Sequence, residues 1–429
     1  MADSRNNKRH VLIACGGTGG HLFPGIAVGE VLQSRGHEVT LLISEKKIDS
    51  LAASGHSALK FEKMPFLAMP KPWSPQMPSF LLGVWRGLKQ CKEIIRKNNT
   101  AAVLGMGGFT SFAPVWAGRQ CKTRTLIHDS NSIPGKANKL TARFCDTILL
   151  GFEECGAYFP PEKQKRVVGT PVRSALLKAA KESTEDPWKF FGLSRERKTL
   201  LVVGGSQGAR GVNNAVAQTL DELDRLGIQI LHITGPEDYQ TMSDAYAKKE
   251  IKLRSHVAAF CHKMELAYRI ADVALARSGA STLAELAAFG VPSMLVPYPF
   301  AADDHQTKNA AIFDRAGAGL LIGQSDLSPK KLTDTVRDIL TNDAKRTAMQ
   351  QAARKIAHLD AAERIADAVE EPPPAPAAKS VAAPVPQAAA SAKPAPQMKT
   401  TQAAKTMGSQ GKATGSHKQT RSNKRHKRR

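Results

Sequence analysis

At 429 residues the chain is longer than one hydrophobic core usually serves, so two domains are expected. With 42% hydrophobic and 23% charged residues it reads as a soluble globular protein without signal peptide or membrane-spanning helix, and six cysteines lacking any C-x-x-C pair suggest no disulfide or metal framework and fit a reducing cytoplasm. The formal charge of +23 is unevenly placed: twelve Lys or Arg and no Asp or Glu fall from Pro372 onward, leaving +11 for the body.

In chain order, His10–Cys15 is an apolar run of buried-strand length. The glycine turn Gly16–His21 follows, and then Phe23–Gly36 has Ile26, Val28, Val31 and Leu32 at helical spacing. With the strand Glu38–Ser44, this is the opening of a doubly wound α/β sheet. It is not the dinucleotide fingerprint, because the last glycine of G-x-G-x-x-G, counted from Gly17, falls on Leu22. A hydride-transfer enzyme is thereby disfavoured. Strands at Ala101–Gly105, Arg124–His128 and Asp146–Gly151 continue the sheet, the first two running into the loops Gly105–Ser111 and His128–Asn138. Arg166–Arg173 ends this half, with Pro171 stopping regular structure.

After the polar stretch Lys181–Lys198, residues Lys198–Leu220 repeat the opening pattern of apolar strand, glycine turn and helix. Ile228–Gly235, His256–Phe260, Ala271–Arg277 and Val291–Pro297 supply further strands. Two copies of one opening predict two Rossmann-like domains, residues 8–171 and 172–369, facing across a cleft, with the last helices able to pack back on the first domain. That is the GT-B arrangement of two-domain glycosyltransferases. Residues 370–429, Pro/Ala-rich and then basic, cannot bury a core and are expected to be a disordered tail.

The stretch Arg277–Pro299 organises the second half. Ser278, Gly279 and Ala280 form a turn into a helix, whose first N–H groups point at whatever binds there. Glu285 follows about one and a half turns on, where a carboxylate can grip the two hydroxyls of a ribose. An ordinary helix with a solvated Glu is the other reading of the same residues.

Seven stretches, GGTGGHLFPGIAV, GGFTSFAPVWA, IHDSNSIPGKANK, GTPVR, GGSQGAR, RSGASTLAEL and DDHQTKNA, occur in the order and spacing of one family. Over roughly residues 8 to 365 the chain resembles MurG, the membrane-associated N-acetylglucosaminyltransferases of peptidoglycan synthesis. The resemblance implies an inverting transfer of N-acetylglucosamine from UDP-N-acetylglucosamine to the 4-hydroxyl of undecaprenyl-diphospho-N-acetylmuramoyl-pentapeptide. It implies no cofactor and no metal; there is no clear D-x-D pair, and Asp303 and Asp304 read as capping loop residues.

Residue by residue, the resemblance gives the diphosphate to the turn Gly204–Ser206, the Ser206 hydroxyl and Arg173. Glu285 takes the ribose, with Ala280, Ser281, Thr282, Leu283 and Ala284 lining the turn, and the backbone of Cys261 reads uracil. Asn131 and Gln306 meet the sugar hydroxyls; HDSN stands where many relatives have H-E-x-N, and His305 replaces a Gln. His21 either takes the acceptor's proton or positions the acceptor diphosphate beside Thr18, Gly19 and Gly20.

Phe66–Lys97 mixes Trp73, Phe80, Leu81, Leu82 and Trp85 with Lys71, Arg86 and Lys89, a combination suited to an anionic membrane surface, which the resemblance implies is the cytoplasmic face of the inner membrane. The competing reading buries Leu82, Trp85 and Leu88 as core at helical spacing. Another lipid-directed GT-B enzyme, such as a diacylglycerol sugar transferase, is the nearest rival function. Nucleic acid is not an expected partner, because the basic tail has no interleaved aromatics, and nothing in the sequence names what the tail binds.

Overall fold

A computed structural model describes residues 8–45, 56, 58–64, 70, 73–182, 184–205, 208–248 and 252–372. Ser206, Lys71 and the tail from 373 onward lie outside the described residues. Two wholly parallel sheets carry the fold. The first joins β1 (His10–Ala14), β2 (Glu38–Ser44), β3 (Lys60–Met64), β4 (Thr100–Gly105), β5 (Arg124–Asp129), β6 (Thr147–Leu150) and β7 (Gln164–Val167) in the order β3-β2-β1-β4-β5-β6-β7. The second joins β8 (Thr199–Val203), β9 (Gln229–Ile233), β10 (Arg254–Ala258), β11 (Val273–Ala276), β12 (Ser293–Leu295) and β13 (Gly319–Leu321) in the order β10-β9-β8-β11-β12-β13.

Continuous apolar runs make this architecture. HVLIA, TLLVV and QILHI are buried at every position, as strands covered on both faces must be. In each sheet the chain winds outward from a central strand and returns to its other side, so the order reverses between β1 and β4 and between β8 and β11. Crevices beyond the carboxyl ends of the strands at such reversals are where open α/β sheets bind ligands. Both glycine turns and the Ser278–Ala280 turn fall there.

Helix α1 (Gly19–Ser34) begins four residues before the Phe23 start that hydrophobic spacing suggests. Pro24 conceals the first turn: it lacks the N–H that would bond the Gly20 carbonyl, yet near a helix start this loss is tolerated. His21 therefore stands on a helix rather than in a loop. The last helix crosses back: Ile365, Ala366 and Val369 join the core formed by Ile26, Leu32 and Leu104. Ionic contacts fix it there, with Arg35 Nη1 2.7 Å from Asp367 and 2.9 Å from Glu370, and Arg166 paired with Glu371. Arg124 donates to the carbonyl of Pro372, so ordered structure continues past 369.

Candidate active site

In the first domain the β4 loop builds a cradle for His21. Gly107 and Gly108 have φ of +116° and +71°, and a Cβ at Gly107 would lie 2.9 Å from Cδ2 and Nε2 of His21. Only glycine allows both the backbone shape and the close imidazole. Nδ1 of His21 lies 3.2 Å from the Thr18 hydroxyl, and the His21 and Leu22 N–H groups both donate to the Thr18 carbonyl. Thr110 donates to the Gly16 carbonyl at 2.9 Å, tying the two loops together.

At the end of β5, Asp129 shapes the neighbouring loop. Its carboxylate accepts from the Asn131 N–H at 3.0 Å, the Gly135 N–H at 3.1 Å and Asn138 Nδ2 at 2.8 Å. Burial pushes its pKa up, and these donors oppose the shift. The departure from H-E-x-N thus falls on a loop-shaping residue. His128 donates from Nε2 to the Gly169 carbonyl at 2.9 Å, and burial pushes its pKa down to about 4.

The second domain presents helix α2 (Ala280–Phe289) after β11. Glu285 is half-buried and already partnered: Tyr268 donates its hydroxyl to Oε2 at 2.7 Å, and Arg173 Nη2 lies 3.7 Å from Oε1. Burial raises the Glu285 pKa, and the Arg173 charge acts against that. Arg173 also lies over the ring of Phe23 from α1, with the guanidinium carbon 4.7 Å from the centroid. It therefore stands between the two domains. A Cβ at Gly20 would lie 3.8 Å from the Ser281 hydroxyl, so the starts of α1 and α2 face each other across the cleft. Two helix N-termini directed at one space make it favourable for anions. Gly208 closes the other turn, where a Cβ would lie 2.3 Å from the Thr234 carbonyl oxygen.

Of the remaining candidates, Ser281, Thr282 and Ala284 are half-buried along α2, whereas Ala280 is buried and Leu283 is part of the core, leaving Leu283 only its backbone to offer. Cys261 is half-buried against the same core. Gln306 opens helix α3 (His305–Arg315); its Oε1 accepts from the Tyr298 N–H at 2.9 Å and its carbonyl accepts from Ser278 Oγ at 2.8 Å. Asp303 and Asp304 do not cap this helix through a backbone N–H. Both have φ of +52°, and Asp304 instead accepts from the Thr307 hydroxyl at 2.6 Å.

Hydrophobic spacing alone misses Tyr268, Arg277 and Asn309. Arg277 is buried and donates to the carbonyls of Val296 and Pro297, bracing the ends of β11 and β12. Asn309 is one helical turn beyond Gln306 on the same face, and that i, i+3 spacing is its signal. Among the described residues, no group of three or more His, Cys, Asp or Glu is placed to hold a metal ion.

The helix Met77–Lys97 sorts the residues expected at a membrane. Phe80 and Leu88 are buried, Phe80 edge-on to Phe109, so Phe80 leaves the set that can insert. Trp73 is 98% exposed and Trp85 60%, with Leu81 and Leu82 also exposed, so Leu82 and Trp85 are not core. Arg86 and Lys89 are exposed on the same helix. Among the described residues, no helix is long and apolar enough to cross a membrane.

Residues 11–150 match the glycosyltransferase family 28 N-terminal domain, and residues 199–367 match its C-terminal domain. A relative from Xanthomonas campestris pv. campestris (strain 8004), named UDP-N-acetylglucosamine–N-acetylmuramyl-(pentapeptide) pyrophosphoryl-undecaprenol N-acetylglucosamine transferase, is 36% identical over 84% of this chain and 81% of its own. One of the same name from Geobacter sulfurreducens is 36% identical over 83% and 97%. The crystal structure of Acinetobacter baumannii MurG superposes with a TM-score of 0.65 at 25% identity, covering 84% of this chain and 99% of that one. With these relatives spanning both domains and the cleft between them, the chain belongs to the MurG family of glycosyltransferases.

Proposed function

We propose that this protein transfers N-acetylglucosamine from UDP-N-acetylglucosamine to the 4-hydroxyl of a lipid-linked N-acetylmuramoyl-pentapeptide, with inversion at the anomeric carbon. The observation that carries the proposal is the pair of facing helix starts, with His21 on one side and the Arg173–Glu285–Tyr268 group on the other. The acceptor oxygen bonds to the anomeric carbon as the bond from that carbon to the UDP oxygen breaks. In the tautomer that donates Nδ1–H to the Thr18 hydroxyl 3.2 Å away, the Nε2 lone pair of His21 takes the hydroxyl proton. UDP leaves carrying the negative charge, stabilised by the start of α2, the turn after β8 and Arg173. Glu285 holds the ribose, and Asn131 and Gln306 hold the sugar from opposite domains.

The division into residues 8–171 and 172–369 is part of this reading, with the donor in the second half and the acceptor in the first. The acceptor's lipid brings the enzyme to a membrane as a peripheral protein. Trp73, Leu81, Leu82 and Trp85 are its apolar contact, with Arg86 and Lys89 meeting anionic headgroups on the cytoplasmic face. The test is transfer of labelled sugar to a lipid-linked muramoyl-pentapeptide analogue beside diacylglycerol. Product on the first acceptor alone is expected; product on diacylglycerol alone overturns the proposal.

A further inference from the structure

We propose that Asn309 is a positioning residue that fixes which face of the Asn131 amide the donor sugar meets, and so sets the register of the two half-sites. The inference rests on the sugar-transfer reading above. Asn309 is fully buried on α3. Its side chain has one oxygen that accepts and one NH₂ that donates twice, and every capacity is used. Oδ1 accepts from the Ser132 N–H at 2.9 Å and the Ser132 hydroxyl at 2.8 Å. Nδ2 donates to Asn131 Oδ1 at 3.1 Å and to the Ser278 carbonyl at 3.2 Å.

The orientation follows from groups that have no choice. A backbone N–H can only donate, so the Asn309 oxygen must face Ser132. A backbone carbonyl can only accept, so the NH₂ must face Ser278. The same NH₂ then meets Asn131, whose oxygen must turn inward toward it. Asn131 is left presenting its own NH₂: one N–H reaches Asp129 Oδ1 at 3.5 Å, and the other is open to the oxygen of a sugar hydroxyl. Because Asn131 and Ser132 belong to the first domain and Ser278 to the second, one buried amide also spans the cleft. The ion pair of Arg315 with Glu154 links the same halves, but it is exposed and weak by comparison.

The test uses Asn309→Asp, which keeps the shape and the acceptor but removes both N–H groups, so that an oxygen faces Asn131 Oδ1 and the Ser278 carbonyl. Turnover is expected to fall about 100-fold, the scale of a misplaced reacting group. Calorimetry should show UDP binding at full stoichiometry with near wild-type affinity, while the preference for UDP-N-acetylglucosamine over UDP is lost. In the background of Asn131→Ala, adding Asn309→Asp should cost little more, because the second residue acts through the first. Asn309→Ser, which removes the contacts without repulsion, serves the same cycle if the Asp variant does not fold. Losses that multiply in the double variant, or loss of UDP stoichiometry together with turnover, would overturn the inference. Wild-type enzyme that binds the donor but transfers nothing would sink the sugar-transfer reading instead, and the binding preference would still report on Asn309.

Discussion

Glu285 is a half-buried carboxylate supplied with a hydroxyl from Tyr268 and the charge of Arg173. In the proposed donor site, those partners hold it ready for a ribose diol to replace or join them. Removing it should leave two sugar hydroxyls poorly paired, a loss of about 1.5 to 3 kcal/mol for a hydrogen bond to a charged group. Glu285→Ala is therefore expected to raise the donor KM roughly 10- to 100-fold while the acceptor KM stays close to wild type, as steady-state kinetics with each substrate varied will show. Equal changes in both constants would remove Glu285 from the donor site. The sequence places this residue on its helix correctly, but not its partners. Tyr268 lies on a different helix, and nothing in hydrophobic spacing aims a hydroxyl at a carboxylate seventeen positions away.

Among the strands and helices, those with one dominant signal are legible in the sequence. The apolar runs of β1, β8 and β9 can be buried on both faces and nowhere else. β3 escapes notice because it is an edge strand: KFEKM is mostly exposed or half-buried, and its Lys60 pairs with Glu62 on its own strand. The three-residue β13 is too short to show a period. The helix Met77–Lys97 carries two signals at once. Its inner stripe packs Phe80, Leu88, Cys91 and Ile95 into the core, and its outer face exposes Leu81, Leu82 and Trp85. These two faces should respond differently. Leu88→Ala is expected to cost about 2 to 5 kcal/mol of stability in denaturant unfolding. Leu81→Ser with Trp85→Ser should leave stability within about 0.5 kcal/mol, yet reduce transfer to a membrane-embedded acceptor and spare a soluble one. Equal loss with both acceptors would place the patch outside membrane contact. The helix starts lead to a separate expectation. If the start of α2, the turn after β8 and Arg173 stabilise departing UDP, transfer by metal-stripped enzyme should survive a chelator, and activity restored only by magnesium would contradict this.

Buried imidazoles, those of His128 and His232 most strongly, couple the folded body as a whole to pH. Burial pushes His128 down to about 4 and His232 down to about 3, from an ordinary value of 6.5. Each stays neutral in the folded protein while the unfolded chain takes up protons below about pH 6.5. Their contribution to stability is thus complete above that pH and is lost as pH falls toward 4. The melting temperature should decline across this window, and His232→Gln should flatten the decline; an unchanged slope in that variant would count against the assignment. The crossing of the last helix onto α1 makes the two domains one folded body, and Asn309 ties them again at the cleft.

In the proposed mechanism His21 receives the acceptor's proton as the sugar is transferred. The transfer rate of His21→Ala, measured beside its UDP affinity, examines that step. Turnover is predicted to fall about 10²- to 10⁴-fold with UDP binding retained, the range for loss of a general base. Turnover close to wild type in a variant that still binds UDP would contradict it.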